Sequence, residues 1–305
     1  MESREEPRPL KGVTEPTGTL AFITAEVVLG ALRSVKSGQV VPLGLPLDRF
    51  DPGPFGRPPA RRRARQSNEL VPLADGRYGL LNDDILEIAL QGSSHWDSLA
   101  HFGLIDKSDR GIFHGGAGLE ETTPGATAHR LGVDAYRGGI VTRGVLIDAV
   151  GALCSPGEGH LPDSTRLCVD DINRCLRDQG TTLQRGDGVL VFTGFEHRLA
   201  GLSAAERLLL EETNAGLDSS TMPFWVEHEV SFLASDNYAV EAIPIDYGIH
   251  AGALRDCGMP LGELWALDAL AQNCRSDRRF EFLVVAVPLI MPGAFGSPAN
   301  ALAIR

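Results

Sequence analysis

The segment Gln91-Gly-Ser-Ser-His95-Trp96-Asp97-Ser-Leu-Ala-His101 places two imidazoles, a carboxylate and an amide within eleven residues. In an extended chain successive side chains alternate faces, so His95 and Asp97 share one face while the bulky Trp96 turns to the other. An imidazole beside a carboxylate suits a borderline divalent ion, Zn²⁺ or Mn²⁺, which needs at least one further protein ligand from elsewhere in the chain. His101 lies four residues beyond Asp97. If the strand ends before it and a helical turn begins, its ring returns to the rim of the same site. There an unperturbed pKa near neutrality suits a general base acting on water held by the ion. The competing reading is two ordinary polar histidines beside a core tryptophan. Ser93 and Ser94 invite a serine-nucleophile reading, but no Gly-x-Ser-x-Gly elbow accompanies them.

These residues need a scaffold, and the pattern predicts an α/β fold, with antiparallel and mixed connections left open. Strand-like runs fall at residues 84–90, 139–148, 188–193, 230–235 and 280–288, separated by helical stretches at 169–179, 204–214 and 260–274. Residues 24–35 read as an amphipathic helix stopped by Ser37-Gly38. Residues 51–68 hold four prolines and five arginines and read as a long irregular loop. Residues 1–18, rich in Glu, Arg and Pro, are expected to form a flexible N-terminal arm, with residues 19–305 as a single catalytic domain.

Composition sets outer limits. A chain of 305 residues, 43% hydrophobic and 22% charged, buries a large core without staples. A net charge of −12 argues against nucleic acid or an anionic membrane as partner, since phosphate neutralisation demands clustered Lys and Arg. The one basic run, Arg57 to Arg65, reads either as a solvated, salt-bridging face or as a seat for an anionic tail. Five cysteines without Cys-x-x-Cys spacing read as buried thiols. Neither a signal-peptide core nor an apolar run of about 18 residues is present, so a cytoplasmic protein is expected.

The histidine segment resembles the His-x-Gly-Thr-His-x-Asp-x-x-x-His signature of the metal-dependent cyclase and kynurenine formamidase-like hydrolase family. Residues 42–47, 185–194, 235–241, 258–263, 280–283 and 296–300 resemble segments of its longer bacterial and fungal branch. The resemblance implies a swivelling β/β/α-type fold with a mixed β-sheet core and flanking helices, His95 and Asp97 as metal ligands and His101 as the catalytic histidine. It also implies a histidine and a glutamate from the C-terminal half, carried here onto His250 and Glu263. Glu263 binds the metal or accepts a hydrogen bond from a ligand, against a bland reading as a helix-surface carboxylate. Gln91 stands where the family's first histidine would be, which argues for one ion rather than two. Trp96, Phe102, His197 and Trp225 are candidate walls of a substrate pocket. The expected activity is hydrolysis of an amide, imide or lactone in a small aromatic or cyclic substrate. The alternatives are ring cyclisation of a polyketide-like chain and a catalytically inactive binding protein. The family's homodimers and homotetramers set the expectation for assembly.

Overall fold

β-Branched and leucine-rich runs that stay apolar on both faces form the centre of a large sheet, as buried parallel strands do. In chain order the strands are β1 (Val40–Pro42), β2 (Arg61–Pro72), β3 (Tyr78–Glu87), β4 (His95–Asp97) and β5 (Leu104–Ile105). They continue as β6 (Gly111–Ile112), β7 (Ile140–Asp148), β8 (Arg166–Leu167), β9 (Gly188–Phe192) and β10 (Gly216–Leu217). The last are β11 (Phe232–Ser235), β12 (Leu261–Glu263), β13 (Glu281–Ala286), β14 (Gly296–Pro298) and β15 (Ala301–Ile304). The structure, a computed structural model, describes residue 13 and residues 16–123, 130–200 and 202–305. The expected arm at residues 1–18 therefore lies outside the described residues, apart from residues 13 and 16–18, as does His129.

Nine strands make one sheet in the order β1-β15-β13-β7-β9-β11-β12-β4-β14. The run β7-β9-β11-β12 is parallel, and the strands at both ends join antiparallel. Helices flank this mixed sheet, which is the α/β architecture expected from the sequence. The helix Val169–Gln179 falls where its pattern predicts. It buries Ile172, Cys175, Leu176 and Gln179, one stripe at helical spacing, and stops at Gly180, whose φ of 68° is left-handed. Trp96, Trp225 and Trp265 are among the largest fully buried side chains of the core. All five cysteines are free. No helix among the described residues is long and apolar enough to cross a membrane.

Four expectations are corrected. The supposed loop at 51–68 becomes strand from Arg61 onward, paired with β3 in a separate two-stranded sheet. No residue of either strand is buried, so no alternation of apolar and polar residues betrayed them. For the same reason the strand expected at 84–90 starts earlier, at Tyr78, and ends at Glu87. The helix expected over 204–214 covers only Ala204–Leu209. The stretch 260–274 divides into β12 and a helix at Asp268–Asp277. Leu261 and Gly262 pair with Leu233 and Ala234 of β11, so sheet pairing overrides the local helical spacing there. Glu263 is thus a buried strand residue, not a helix-surface carboxylate.

Candidate metal centre

Three short elements bring the chemistry together. Strand β4 is hydrogen-bonded on one side to β12, with His95 opposite Glu263, and on the other to β14, with Asp97 opposite Gly296. Residues opposite each other in an antiparallel pair project to the same face. His95, Asp97 and Glu263 therefore converge, with His95 Nε2 at 3.1 Å from Glu263 Oε2 and 3.6 Å from Asp97 Oδ1. Trp96 takes the opposite face, edge-on to Phe232 and Trp265 with ring centroids 4.9 Å apart in both cases. That geometry places it in the core and removes it as a pocket wall.

Beyond β4 the chain turns: the His101 N–H donates to the Ser98 carbonyl at 2.9 Å. The turn returns the His101 ring to within 3.7 Å of Asp97 Oδ1. The His101 side chain keeps 26% of its surface exposed, whereas His95 and Asp97 keep none. Gln91 Nε2 lies 3.4 Å from His101 Nδ1. Gly296 makes room for this amide, because a Cβ there would stand 2.8 Å from Gln91 Nε2 and from the Trp96 carbonyl oxygen.

His250 arrives from the short helix Gly248–His250, which continues as a π-helical stretch over Ala251–Cys257. Its Nε2 lies 3.4 Å from Glu263 Oε1. Its Nδ1 meets Glu241 Oε1 at 2.5 Å, and its backbone N–H donates to the same oxygen at 3.2 Å. Phe102 stands edge-on to the His250 ring and stacks on Tyr247 at 5.3 Å, so it lies beside this cluster. Trp225 does not: it is fully buried and donates from its indole to Thr221. His197 faces His160 at 6.2 Å in a separate cleft of about 310 Å³ shared with Gly157, Glu158 and Pro162.

Charge explains what this cluster lacks. Burial disfavours a charged imidazole, yet Asp97 and Glu263 outweigh it and raise the pKa of His95. Burial works likewise against His250, but its hydrogen bonds to Glu241 and Glu263 push it up to about 10. Glu263 resists burial and is held well below the carboxylate range by the two imidazoles. His95 donates Nδ1–H to the Ser93 carbonyl at 2.8 Å, which leaves its Nε2 lone pair facing the carboxylates. His95 Nε2, both oxygens of Asp97 and Glu263 Oε1 are buried without a hydrogen-bond partner. Buried polar atoms are almost always satisfied, and four unsatisfied donor atoms in one cluster fit a divalent cation. Among the described residues two overlapping sets have the required proximity, His95–Asp97–Glu263 and Asp97–His101–His250, the donor atoms of each within 4.8 Å of one another.

Two contributors escape a reading by spacing. Glu241 binds a candidate ligand from nine residues upstream, and Tyr136 is a buried phenol whose ionisation is opposed by burial and then by Asp97. A glutamate in the segment 235–241 was visible as part of the family resemblance, but its role depends on a backbone turn that no motif spells out.

A family model described as "Putative cyclase" matches residues 41–242. The chain is similar to a crystal structure described as a novel cyclase, at 28% identity and a TM-score of 0.86, covering 95% of this chain and 96% of that one. It is also similar to isatin hydrolase A from Labrenzia aggregata bound to benzyl benzoate, at 18% identity and a TM-score of 0.60, covering 91% and 97%. A third similar structure is an isatin hydrolase bound to the product analogue thioisatinate, at 16% identity and a TM-score of 0.58, covering 92% and 99%. At such identities the two hydrolases share the fold. No curated protein matches the chain.

Proposed function

The chain belongs to the cyclase family, and from that premise we propose that it is a metal-dependent hydrolase cleaving an amide, imide or lactone bond of a small aromatic or cyclic substrate. The observation that carries the reading is the convergence of buried, unpartnered donor atoms from His95, Asp97 and Glu263 beside the His250 imidazole. These four residues would hold one Zn²⁺ or Mn²⁺ ion, and when bound it supplies Lewis-acid polarisation of a carbonyl and acidification of water. The catalytic unit is residues 19–305.

His101 is assigned as general base because it alone of the cluster keeps a solvent-facing side. Gln91 Nε2, 3.4 Å from His101 Nδ1, steadies the ring beside Asp97. The same ring then returns the proton to the departing nitrogen or oxygen. Phe102 and Tyr247 form an aromatic rim over His250 against which a planar substrate can lie. Water access favours hydrolysis over ring closure, since a cyclase working on a long apolar chain gains from excluding water, and the His101 side chain is partly exposed.

Elemental analysis of protein purified without chelator should find close to one divalent ion per chain. A screen of aromatic amides, imides and lactones on that protein should then reveal turnover that His101→Ala lowers by roughly 10²–10⁴-fold with the ion retained. Absence of any bound ion after reconstitution sinks the proposal.

A further inference from the structure

The basic run at residues 57–65 divides in the structure. Arg61, Arg62, Arg63 and Arg65 lie exposed along β2, where Arg61 faces Asp51 at 3.6 Å, Arg62 faces Asp84 at 3.0 Å and Arg65 faces Asp83 at 2.5 Å. Arg57 behaves differently. It is only partly exposed, its Nη1 is buried, and that atom finds no hydrogen-bond partner among the described residues. Its guanidinium makes no ion pair among them either and rests on the Phe55 ring, with Cζ 5.5 Å from the centroid. A guanidinium buried in part without an anion is costly, and its forked donors match a planar oxyanion.

The chain holds this side chain towards the candidate metal centre. Segment 43–57 is tied to the residues that lead into β4, because the Leu45 N–H donates to the Ser94 hydroxyl at 2.8 Å and the Ser93 hydroxyl donates to the Pro46 carbonyl at 2.9 Å. Farther along, the Gly53 N–H donates to the Arg57 carbonyl at 3.0 Å and the Arg57 N–H to the Pro54 carbonyl at 3.2 Å. This closes a tight loop. Within it Phe55 is held at a φ of 56°, which bulky residues rarely adopt, with its ring edge-on to Tyr238 at 5.6 Å. Tyr238 lies three residues before Glu241, the partner of His250. Backbone strain of this kind clusters at ligand sites. The electrostatics agree: after burial, Asp97 and Glu263, the charge of Arg57 also acts on His95, where it opposes protonation.

We propose that Arg57 is a substrate-binding residue that receives a carboxylate carried by the substrate, so that the amide, imide or lactone hydrolysed here is an anionic one. The identity of the bond rests on the hydrolase reading; the anion site does not. One guanidinium matches the charge of one carboxylate, whereas a phosphate dianion would bring a second negative charge to a site already lined by Asp97, Glu241 and Glu263. With the Phe102–Tyr247 rim, Arg57 selects a planar aromatic acid over its neutral counterpart.

Calorimetric titration of protein purified without chelator, with benzoate and with benzamide, tests this. The parent should bind benzoate roughly 10–100-fold more tightly, and Arg57→Gln should erase the preference while ion content and the circular dichroism spectrum stay unchanged. Arg57→Lys, which keeps the charge and loses the fork, should recover part of it. Equal affinity of the parent for the two probes overturns the proposal. So does a preference that survives Arg57→Gln, which would assign the carboxylate to the ion, and so does loss of the ion together with the preference, which would make Arg57 a support of the metal centre. Arg57-dependent benzoate binding without turnover of any amide, imide or lactone supports the anion site and counts against the hydrolase reading alone.

Discussion

Glu241 shows how much a single side chain can decide about a donor set. By accepting a hydrogen bond from His250 Nδ1–H it turns Nε2 towards Glu263, and so fixes which ring nitrogen could serve as a ligand. Partners of this kind typically alter metal affinity by about 10–100-fold. Glu241→Ala should weaken divalent-ion binding by that range in calorimetric titration, while Glu241→Gln, still an acceptor, should recover most of it. Equal loss in both variants would mean that its charge, not its hydrogen bond, matters. His95, Asp97 and His101 were legible in the sequence because their relation is local and follows from strand alternation and one turn. Glu241 was not, since its partnership with His250 is made by chain geometry. A second residue-scale prediction concerns Asp277, which burial would raise but Arg279 and Arg305 hold down at about 2. Its folded pKa lies below the unfolded value of about 3.9, so its contribution is present above pH 4 and is lost as pH falls towards 2. At 35% exposure that contribution is under about 1 kcal/mol. Urea melts of Asp277→Asn and the parent should differ at pH 6 and coincide near pH 2; a difference that persists in acid contradicts this.

Among elements, β12 carries the most constraint for its three residues. Gly262 sits under the Trp265 indole, where an added Cβ would come within 2.7 Å of Nε1 and 2.9 Å of the Ala234 Cβ. Trp265 in turn donates to the His95 carbonyl at 3.2 Å. Gly262→Ala should therefore cost about 1–3 kcal/mol by overpacking and loosen metal binding at the same time. Chemical denaturation paired with metal titration checks it, and a variant as stable as the parent would show that the strand can shift freely. The long buried strands and the helix Val169–Gln179 were legible because their apolar runs and stripe extend over several turns or repeats. Three-residue strands such as β4, β12 and β14 carry too little sequence to show a period, and the solvent-facing hairpin has no buried side to imprint one.

For the whole molecule, the cluster of buried carboxylates would tie folding to the proposed cation. Anything that binds only the native state stabilises it by about 2.7 kcal/mol at a hundredfold excess over Kd. Chelation by EDTA should lower the melting temperature by several degrees, reversed by adding Zn²⁺ or Mn²⁺ but not by raising ionic strength. An unchanged melting curve after verified metal removal would separate the cation from the fold. The fold class was legible from alternating strand and helix runs, but the order of strands was not. Nothing local announces that β4 leaves its sequence neighbours and lies between β12 and β14.

That placement has a consequence for how the protein is made. The strand holding His95 and Asp97 leaves the ribosome about 200 residues before β14, its last hydrogen-bonded partner, is synthesised. At translation rates of about 5–20 residues per second, those side chains wait roughly 10–40 s for the surroundings that keep them in place. The nascent chain would therefore acquire the proposed cation late, after the central parallel strands have already emerged.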